Sequence, residues 1–296
     1  MRIGAVLGAT GPNTTLDEMI EGARQIEAAG LDNIWMANIF GFDAISTLGF
    51  IGREVPRLGL GTAVTPTYPR HPTAIAQQAM TTAAATGGRF SLGIGLSHKI
   101  VIEDMLGMSY DKPARHMREY LNVLMPLVRG EAANFDGEQY RVHGMQLEVP
   151  GSEGMPVIIA ALGPVMLKLA RELADGTITW MVGHRTLGEH IAPSIGPDKT
   201  IVAGVPIVLT TEVEAAKRTI DEQLAIYGQL PSYRAMLDRE GAANPSDIAL
   251  VGDENALRSG LERFRDAGTT DFNAAIVPTD DGAYARTLEF LSSLKG

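Results

Sequence analysis

The sequence has no cysteine, which excludes disulfide bonds, thiolate metal ligands and cysteine nucleophiles. It also has no apolar run as long as the roughly 18 residues that a membrane-spanning helix needs. Basic residues are in the minority, with 25 Lys and Arg against 35 Asp and Glu, and they form no dense tract. This balance argues against nucleic acid or an anionic membrane as the main partner. We therefore expect a cytoplasmic protein that acts on a small molecule.

Several catalytic signatures are missing as well. The sequence has no G-x-S-x-G, no P-loop and no G-x-G-x-x-G after a strand, and the pair Gly93 and Gly95 continues without the third glycine. Its histidines show no H-x-x-x-H spacing, so we expect no metal site. Hydrolase, NTPase and Rossmann-type interpretations therefore lack support.

What the sequence does contain is a repeat of short apolar runs, each bounded by Gly or Pro and separated by segments of helical period. The runs span residues 2–8, 32–37, 57–64, 89–95, 156–161, 176–182, 200–209 and 270–278. Alternating strands and helices favour a parallel sheet covered by helices. The sequence therefore predicts an α/β fold, a (β/α)8 TIM barrel formed by a single domain over residues 1–296.

Local signals indicate where the helices begin and end. Capping boxes are expected at Thr15 to Glu18 and at Thr211 to Glu214. Prolines at first-turn positions and glycines at helix ends give further bounds, namely Pro72, Pro113 and Pro164 for starts and Gly30, Gly130 and Gly268 for ends.

Two segments exceed the repeat. Residues 134–150 predict a small hairpin inserted between the fourth helix and the fifth strand, and residues 230–252 predict a helical piece followed by a short extended stretch. Neither segment has enough apolar residues for a core of its own. We expect both to cap or flank the barrel.

The active site of such a barrel lies at the carboxyl ends of its strands, because the loops that follow the strands meet there. The segment Ala160, Ala161, Leu162, Gly163 and Pro164 follows the fifth strand and begins a helix. It fits either an ordinary tight connection or a helix start whose free N–H groups bind an anion.

Two polar residues near the same end of the barrel also have two interpretations. Arg185, after the sixth strand, suits either a phosphate contact or a solvated surface position. His98, after the fourth strand, suits either proton exchange with a ligand or a structural role at the start of the next helix.

The residues as a group resemble a known family. The segment from Gly61 to Pro72, the pairs Ala76-Gln77 and Arg89-Phe90, the Gly93-Ile94-Gly95 motif, and the segments 160–164 and 174–176 resemble the luciferase-like monooxygenase superfamily, particularly its coenzyme F420-dependent oxidoreductases. The resemblance covers nearly the whole chain in the same order. It implies a flavin or deazaflavin ring across the mouth of the barrel and a homodimer that pairs through helices near the second and third strands.

The resemblance also implies roles for particular residues. The cofactor-binding set is Thr62, Ala63 and Val64 in the third strand, Gly95, Leu96 and Ser97 after the fourth, Ala160, Ala161, Leu162 and Gly163 after the fifth, and Arg185. A cis peptide bond is implied between Ala63 and Val64. The implied catalytic residues are Asn38 and His98, with His98 as proton donor.

This chain departs from the family pattern at two places after the second strand. Ile39 stands where the family commonly has a His. In addition, Phe40-Gly41-Phe42 replaces the Trp of a sugar-phosphate dehydrogenase branch, which also carries a Glu at the position of His98. We therefore do not expect that branch's substrate.

The apolar residues near the mouth have two interpretations, as the lining of a substrate pocket or as core and interface residues; they are Phe40, Phe42, Tyr68, Met105, Met108 and Trp180.

The favoured hypothesis is an F420-dependent oxidoreductase that transfers a hydride between a deazaflavin and a small organic substrate, because the whole-chain pattern is nearest that branch. One alternative is an FMN-dependent luciferase-like monooxygenase that uses a separate reductase. Another is a barrel that binds a cofactor without catalysis, which the Asn38-Ile39 pair leaves open.

Overall fold

Eight parallel strands close into a barrel, and helices cover its outside. The structure is a computed structural model that describes residues 1–8 and 14–295. The strands in these ranges are β1 Arg2–Leu7, β2 Asn33–Met36, β3 Gly59–Thr62, β4 Thr65–Pro66, β5 Phe90–Gly95, β6 Ala133–Asp136, β7 Arg141–Met145, β8 Val157–Ala160, β9 Gly176–Trp180, β10 Thr200–Leu209, β11 Leu250–Gly252 and β12 Asp271–Ile276.

The α-helices alternate with these strands. They are α1 Leu16–Ala28, α2 Ala44–Glu54, α3 Pro72–Ala85, α4 Pro113–Val128, α5 Pro164–Leu173, α6 His184–Thr186, α7 Ala192–Ile195, α8 Val213–Gln223, α9 Ala225–Gln229, α10 Pro231–Glu240, α11 Glu254–Asp266 and α12 Ala283–Ser293. Two π-helical turns, Ile100–Met105 and Leu187–Ile191, and a 3₁₀ turn, Pro245–Ile248, complete the set. No helix in the described ranges is both long and apolar enough to cross a bilayer.

The barrel order is β1, β2, β3, β5, β8, β9, β10 and β12, and β12 pairs with β1 to close the ring. The predicted (β/α)8 TIM barrel is therefore confirmed. Strand β4 continues the third barrel strand after an interruption and pairs with β5, while β11 pairs with the last three residues of β10.

The hairpin β6–β7 follows α4 and precedes β8 in the chain. A buried carboxylate on α4 binds the turn between its two strands. Glu119 on α4 accepts hydrogen bonds from the backbone N–H groups of Glu138, Gln139 and Tyr140, at 3.2, 2.7 and 3.2 Å. Although burial raises the pKa of Glu119, these three donors hold it below its usual range.

The helix bounds follow most of the sequence signals. Thr15 and Glu18 form the expected capping box, and Pro72, Pro113 and Pro164 each occupy the first turn of a helix. The capping box expected at Thr211 to Glu214 is wrong. There the helix begins at Val213 with Glu212 at its N-cap. The Thr210 hydroxyl, one residue earlier, accepts from the Glu212 N–H at 3.0 Å and so takes the local hydrogen bond.

The amino end of the barrel is filled by a polar network. Asn33 donates to the Asp271 carboxylate at 2.9 Å, Trp35 donates to Asn33 Oδ1 at 2.9 Å, and Arg2 pairs with Asp271 at 2.7 Å. Gly4 makes room for this network, since a Cβ there would lie 1.7 Å from Asn33 Oδ1. The buried polar groups are thus paired with one another, as a low-dielectric interior requires.

Candidate active site

The centre of the barrel's carboxyl end has a floor of small apolar side chains. Ala63, Val64 and Ala160 are half-buried and pack on an interior layer made of Trp35, Ile158, Ile178 and Val202. Gly95 lies among them, because a Cβ at Gly95 would stand 2.6 Å from Val64 Cγ2 and 3.3 Å from Ala160 Cβ. The structure therefore brings the predicted residues of three neighbouring strands together.

The third barrel strand is locked to the fourth just below this floor. The buried Thr62 hydroxyl donates to the Gly93 carbonyl at 2.7 Å and accepts from the Gly93 N–H at 2.8 Å. The Ala63–Val64 peptide bond that follows is cis, as the resemblance implies. Because the Thr62 hydroxyl makes both of these hydrogen bonds to Gly93, Thr62 can offer a ligand only backbone atoms.

The start of α5 is open. Gly163 is its N-cap and provides no side-chain cap, and among the described residues none but its chain neighbours lies within 4 Å of the position of a Cβ. The preceding loop is fixed from the side, because His190 Nε2–H donates to the Leu162 carbonyl at 2.8 Å. A ten-residue helix with an uncapped start presents N–H groups and a positive dipole end to an anion.

The helical segment after β9 is different, because a carboxylate of the chain itself occupies its start. Glu240, at the end of α10, accepts from the backbone N–H groups of Arg185 at 3.1 Å and Thr186 at 2.6 Å. Its side chain is only 9% exposed. Gly183 lets it approach, since a Cβ there would lie 2.2 Å from the Glu240 carboxyl carbon.

Arg185 itself pairs with Glu189 at 3.4 Å on the protein surface. The contact predicted between Arg185 and a cofactor phosphate stays a prediction, and it requires the guanidinium to leave Glu189. Sequence reasoning missed Glu240, because nothing in a lone Glu at a helix end signals a partner about 55 positions earlier in the chain.

His98 stands at the edge of a cleft of ≈ 560 Å³ between the segment after β5 and the start of α10. Its ring meets Tyr233 edge-on at 5.8 Å, and its imidazole has no hydrogen-bond partner within the described ranges. Burial lowers the pKa of His98. An uncharged imidazole accepts a proton at one nitrogen, so at neutral pH this residue suits taking a proton better than giving one.

Asn38, the other predicted catalytic residue, is used in part by the fold. Its Oδ1 accepts from the Ala44 N–H at 3.0 Å, which satisfies one free donor at the start of α2. The catalytic role predicted for Asn38 stays a prediction that would have to use its amide nitrogen.

Two of the residues expected to line an apolar pocket are packed against other aromatic rings. Tyr68 stacks on His116 at 3.9 Å and on Tyr110 at 5.3 Å, which leaves it buried. Trp180 meets Tyr227 edge-on at 6.1 Å. The other four, Phe40, Phe42, Met105 and Met108, are exposed around the mouth.

His116 links this stack to the hairpin. Its Nδ1–H donates to Gln139 Oε1 at 3.0 Å, and its Nε2 accepts from the Thr67 hydroxyl at 2.9 Å. Burial lowers the pKa of His116, although the bond to Gln139 acts in the opposite direction. Sequence reasoning did not identify this role, since no spacing in the chain joins His116 to Gln139.

Comparison with known proteins places this chain in a wider group. A family model described as luciferase-like monooxygenase matches residues 1–290. The chain is 34% identical over 154 residues to the 5,10-methylenetetrahydromethanopterin reductase of Archaeoglobus fulgidus, a match that covers 51% of this chain and 46% of the relative. It is 30% identical over 239 residues to the F420-dependent glucose-6-phosphate dehydrogenase of Nakamurella multipartita, covering 73% of this chain and 66% of that protein.

Among solved structures, the coenzyme F420-dependent tetrahydromethanopterin reductase of Methanopyrus kandleri superimposes on this chain with a TM-score of 0.82 at 18% identity. The superposition covers 98% of this chain and 97% of that one. The two chains therefore share one fold along their whole length. The two curated relatives, in contrast, are matched over less than two thirds of their own length, 46% and 66%.

Proposed function

The chain belongs to the luciferase-like monooxygenase family, and from this premise we propose that it is a deazaflavin-dependent oxidoreductase, which transfers a hydride between coenzyme F420 and a small organic substrate. The observation that carries the proposal is the apolar floor of Ala63, Val64 and Ala160 beside the uncapped helix start at Gly163. The matched relatives include enzymes whose names state dependence on F420.

The residues present fit such a cofactor. A planar tricyclic ring requires a flat apolar surface free of bulky side chains, and the floor consists of two alanines, a valine and Gly95. An anionic arm requires donors without a competing carboxylate, and the start of α5 has no side-chain cap. The start of α6 does not meet this requirement, because Glu240 occupies its N–H groups.

The chain's own residues then have separate tasks. Ala63, Val64 and Ala160 support the ring, Gly95, Leu96 and Ser97 border it, and the N–H groups after Gly163 hold the anionic arm. The deazaflavin supplies the hydride chemistry. His98 stands in the cleft above the carboxyl end of β5 and accepts or returns the substrate's proton.

A second candidate is an FMN-dependent monooxygenase with a separate reductase, which the description of the matching family favours. The same floor and helix start suit FMN, because its ring is also tricyclic and its arm ends in a phosphate. The two candidates differ in the cofactor that the protein retains and in the acceptor of the electrons.

Titration of the purified protein with coenzyme F420 and with FMN, followed by absorbance, tests the proposal. We expect micromolar or tighter binding of F420 and weaker binding of FMN. Binding of FMN alone would favour the monooxygenase. Binding of F420 without single-turnover hydride transfer to any acceptor would instead favour a barrel that binds its cofactor without catalysis.

We also propose that the protein is a cytoplasmic homodimer that pairs through α2 and α3. A groove of ≈ 530 Å³ runs between these helices, and Phe50 projects beside it with 60% of its surface exposed. Sedimentation velocity should give a dimer for the natural chain and a monomer for Phe50→Arg, which places a charge in the interface. A monomeric natural chain would overturn this assignment.

A further inference from the structure

The large apolar side chains that the structure leaves exposed are concentrated at one end of the barrel. Nine of the ten within the described ranges lie around its mouth, and only Phe50 on α2 lies elsewhere. The nine are Ile39, Phe40 and Phe42 after β2, Ile100, Met105, Leu106 and Met108 after β5, Val165 at the start of α5, and Ile226 on α9. Exposed apolar surface gathered beside a cleft marks a site that binds apolar groups.

Among the residues that the structure describes, none gives the cleft beside this surface a free positive charge. Lys99 is the one Lys or Arg that lines it, and its ammonium group pairs with Glu103 at 3.5 Å. Asp104 also lines the cleft, so its lining has one more negative than positive side chain. The nearby Arg185 and Arg234 are paired with Glu189 and Asp238. A phosphate or carboxylate on a substrate would find repulsion here rather than a partner.

His98 contributes to the same cleft a polar group that is available to hydrogen-bond a ligand. Its imidazole has no hydrogen-bond partner in the part of the chain that the structure describes, and Tyr233 fixes one side of the ring. An uncharged imidazole offers one N–H donor and one nitrogen acceptor. It can therefore donate to a carbonyl oxygen or accept from a hydroxyl, and neither bond requires a charge on the substrate.

We propose that the cleft between residues 97–110 and 230–232 binds an uncharged, largely apolar substrate that carries a hydroxyl or carbonyl oxygen, which His98 hydrogen-bonds. The inference rests on the proposed function and names the substrate class for the same site. The apolar part of the substrate lies against Ile100 and Leu230, and Lys99 paired with Glu103 keeps the entrance free of net positive charge.

Calorimetric titration with 2-alkanols from butan-2-ol to octan-2-ol tests the apolar part of the proposal. The protein is used saturated with whichever cofactor it retains. Affinity should rise about fourfold for each added CH₂ group, the factor expected for burial of one methylene. The phosphate ester of octan-2-ol should bind at least tenfold more weakly than octan-2-ol. Affinity that does not depend on chain length, or equal binding of the ester, would overturn the proposal.

Three variants separate the contribution of apolar contact to substrate affinity from that of charge. Ile100→Ser should weaken octan-2-ol binding about threefold, whereas Ile100→Leu, the matched control that keeps the apolar surface, should leave it unchanged. Glu103→Gln releases the Lys99 charge and should tighten the phosphate ester threefold or more without changing octan-2-ol. Equal affinities for the Ser and Leu variants, or no gain for the ester, would count against the assigned site.

The same data distinguish this inference from the proposed function. Chain-length dependence in a protein that retains FMN and not F420 would leave the substrate class standing while the proposed function fails. Tight binding of F420 together with a preference for the phosphate ester would leave the proposed function standing and remove the substrate class.

Discussion

Glu240 shows how a single residue can fix one wall of the site. Its carboxylate joins the end of α10 to the N–H groups of Arg185 and Thr186, and α10 carries Tyr233, which contacts His98. Glu240→Ala should lower the free energy of unfolding by about 1–3 kcal/mol, because two backbone N–H donors lose a charged acceptor. Urea denaturation measures this loss.

The matched control for Glu240 is Asp238→Ala on the same helix, whose carboxylate is exposed and paired only with Arg234. It should change the free energy of unfolding by less than about 1 kcal/mol. Added acetate should restore part of the stability of Glu240→Ala, since a small carboxylate can occupy the vacated position. Equal losses for the two variants would show that Glu240 has no special role.

Gly163 gives a second prediction at this scale. Gly163→Asp places a carboxylate on the N–H groups of α5, and since Gly163 has a φ of −83° an ordinary residue fits there. Asp is a good N-cap, so stability should be kept or raised, while cofactor affinity should fall at least tenfold. Titration with the cofactor that the protein binds measures the affinity.

Gly163→Asn is the control for that substitution, because it caps the helix to a similar degree without charge. It should weaken the cofactor less than Gly163→Asp does. Identical affinities for the two variants would mean that the anionic arm lies elsewhere.

The sequence predicted some residues of the candidate site and missed others. The resemblance implied Ala63, Val64, Gly95 and Ala160 as cofactor contacts, which stays a prediction, and the structure brings these four residues together because parallel strands end at the same face of the barrel. Glu240 was missed, since its partners lie about 55 positions away along the chain. Side-chain pairing of this kind depends on tertiary packing, which no local pattern records.

At the scale of elements, β3 is positioned by a glycine that lies against an aromatic ring. A Cβ at Gly61 would lie 2.2 Å from Trp35 Cζ3, and Trp35 supports the floor of the site. Gly61→Ala should therefore displace the indole, lower the free energy of unfolding by about 1–3 kcal/mol and weaken cofactor binding. Urea denaturation and cofactor titration measure the two effects.

Gly41→Ala serves as the control for this prediction, because nothing lies within 4 Å of its Cβ position and its φ is not in the left-handed region. It should leave stability within about 0.5 kcal/mol of the natural chain. A Gly61→Ala protein that matches Gly41→Ala in both measurements would show that β3 tolerates the added methyl group.

Elements were predicted well where the backbone alone determines them and poorly where side chains compete. All eight barrel strands correspond to apolar runs bounded by Gly or Pro, because buried parallel strands require such runs. The start of α8 was predicted one residue early, since Thr210 rather than Thr211 takes the local hydrogen bond. Short polar residues in succession offer several equivalent caps, and the sequence does not choose among them.

At the scale of the whole molecule, the buried histidines make stability depend on pH. Burial lowers the pKa of both His98 and His116, so the folded protein binds fewer protons than the unfolded chain as pH falls through the ordinary histidine range of about 6.5. The free energy of unfolding should therefore fall between pH 7.5 and pH 5.5.

Urea denaturation at about 0.2 M salt checks this dependence, because salt screens the surface repulsion that arises from the net charge of −10. Proton NMR titration of the imidazole signals should place both transitions below pH 6.5. Stability that is constant or rising toward pH 5.5 would contradict the assignment.

The barrel as a whole followed from the repeat of strand and helix, because alternating elements form a parallel sheet whose faces the helices cover, and closure of the sheet leaves no unpaired edge. The identity of the cofactor did not follow from composition or periodicity. It came from resemblance, since the floor that accepts the ring consists of Ala63, Val64 and Ala160, residue types that are common in any core.

A polar network fills the amino end of the barrel, so that a ligand can enter and leave only at the carboxyl end; its members are Asn33, Trp35, Arg2 and Asp271. The floor at Ala63 and Ala160 packs directly on the barrel interior, whereas the cleft at His98 is lined by residues that follow β5 and begin α10. A ligand on the floor must therefore bind before the ligand in the cleft and dissociate after it. Under the proposed function, turnover is then compulsorily ordered, and the organic product leaves while the cofactor still sits beneath it.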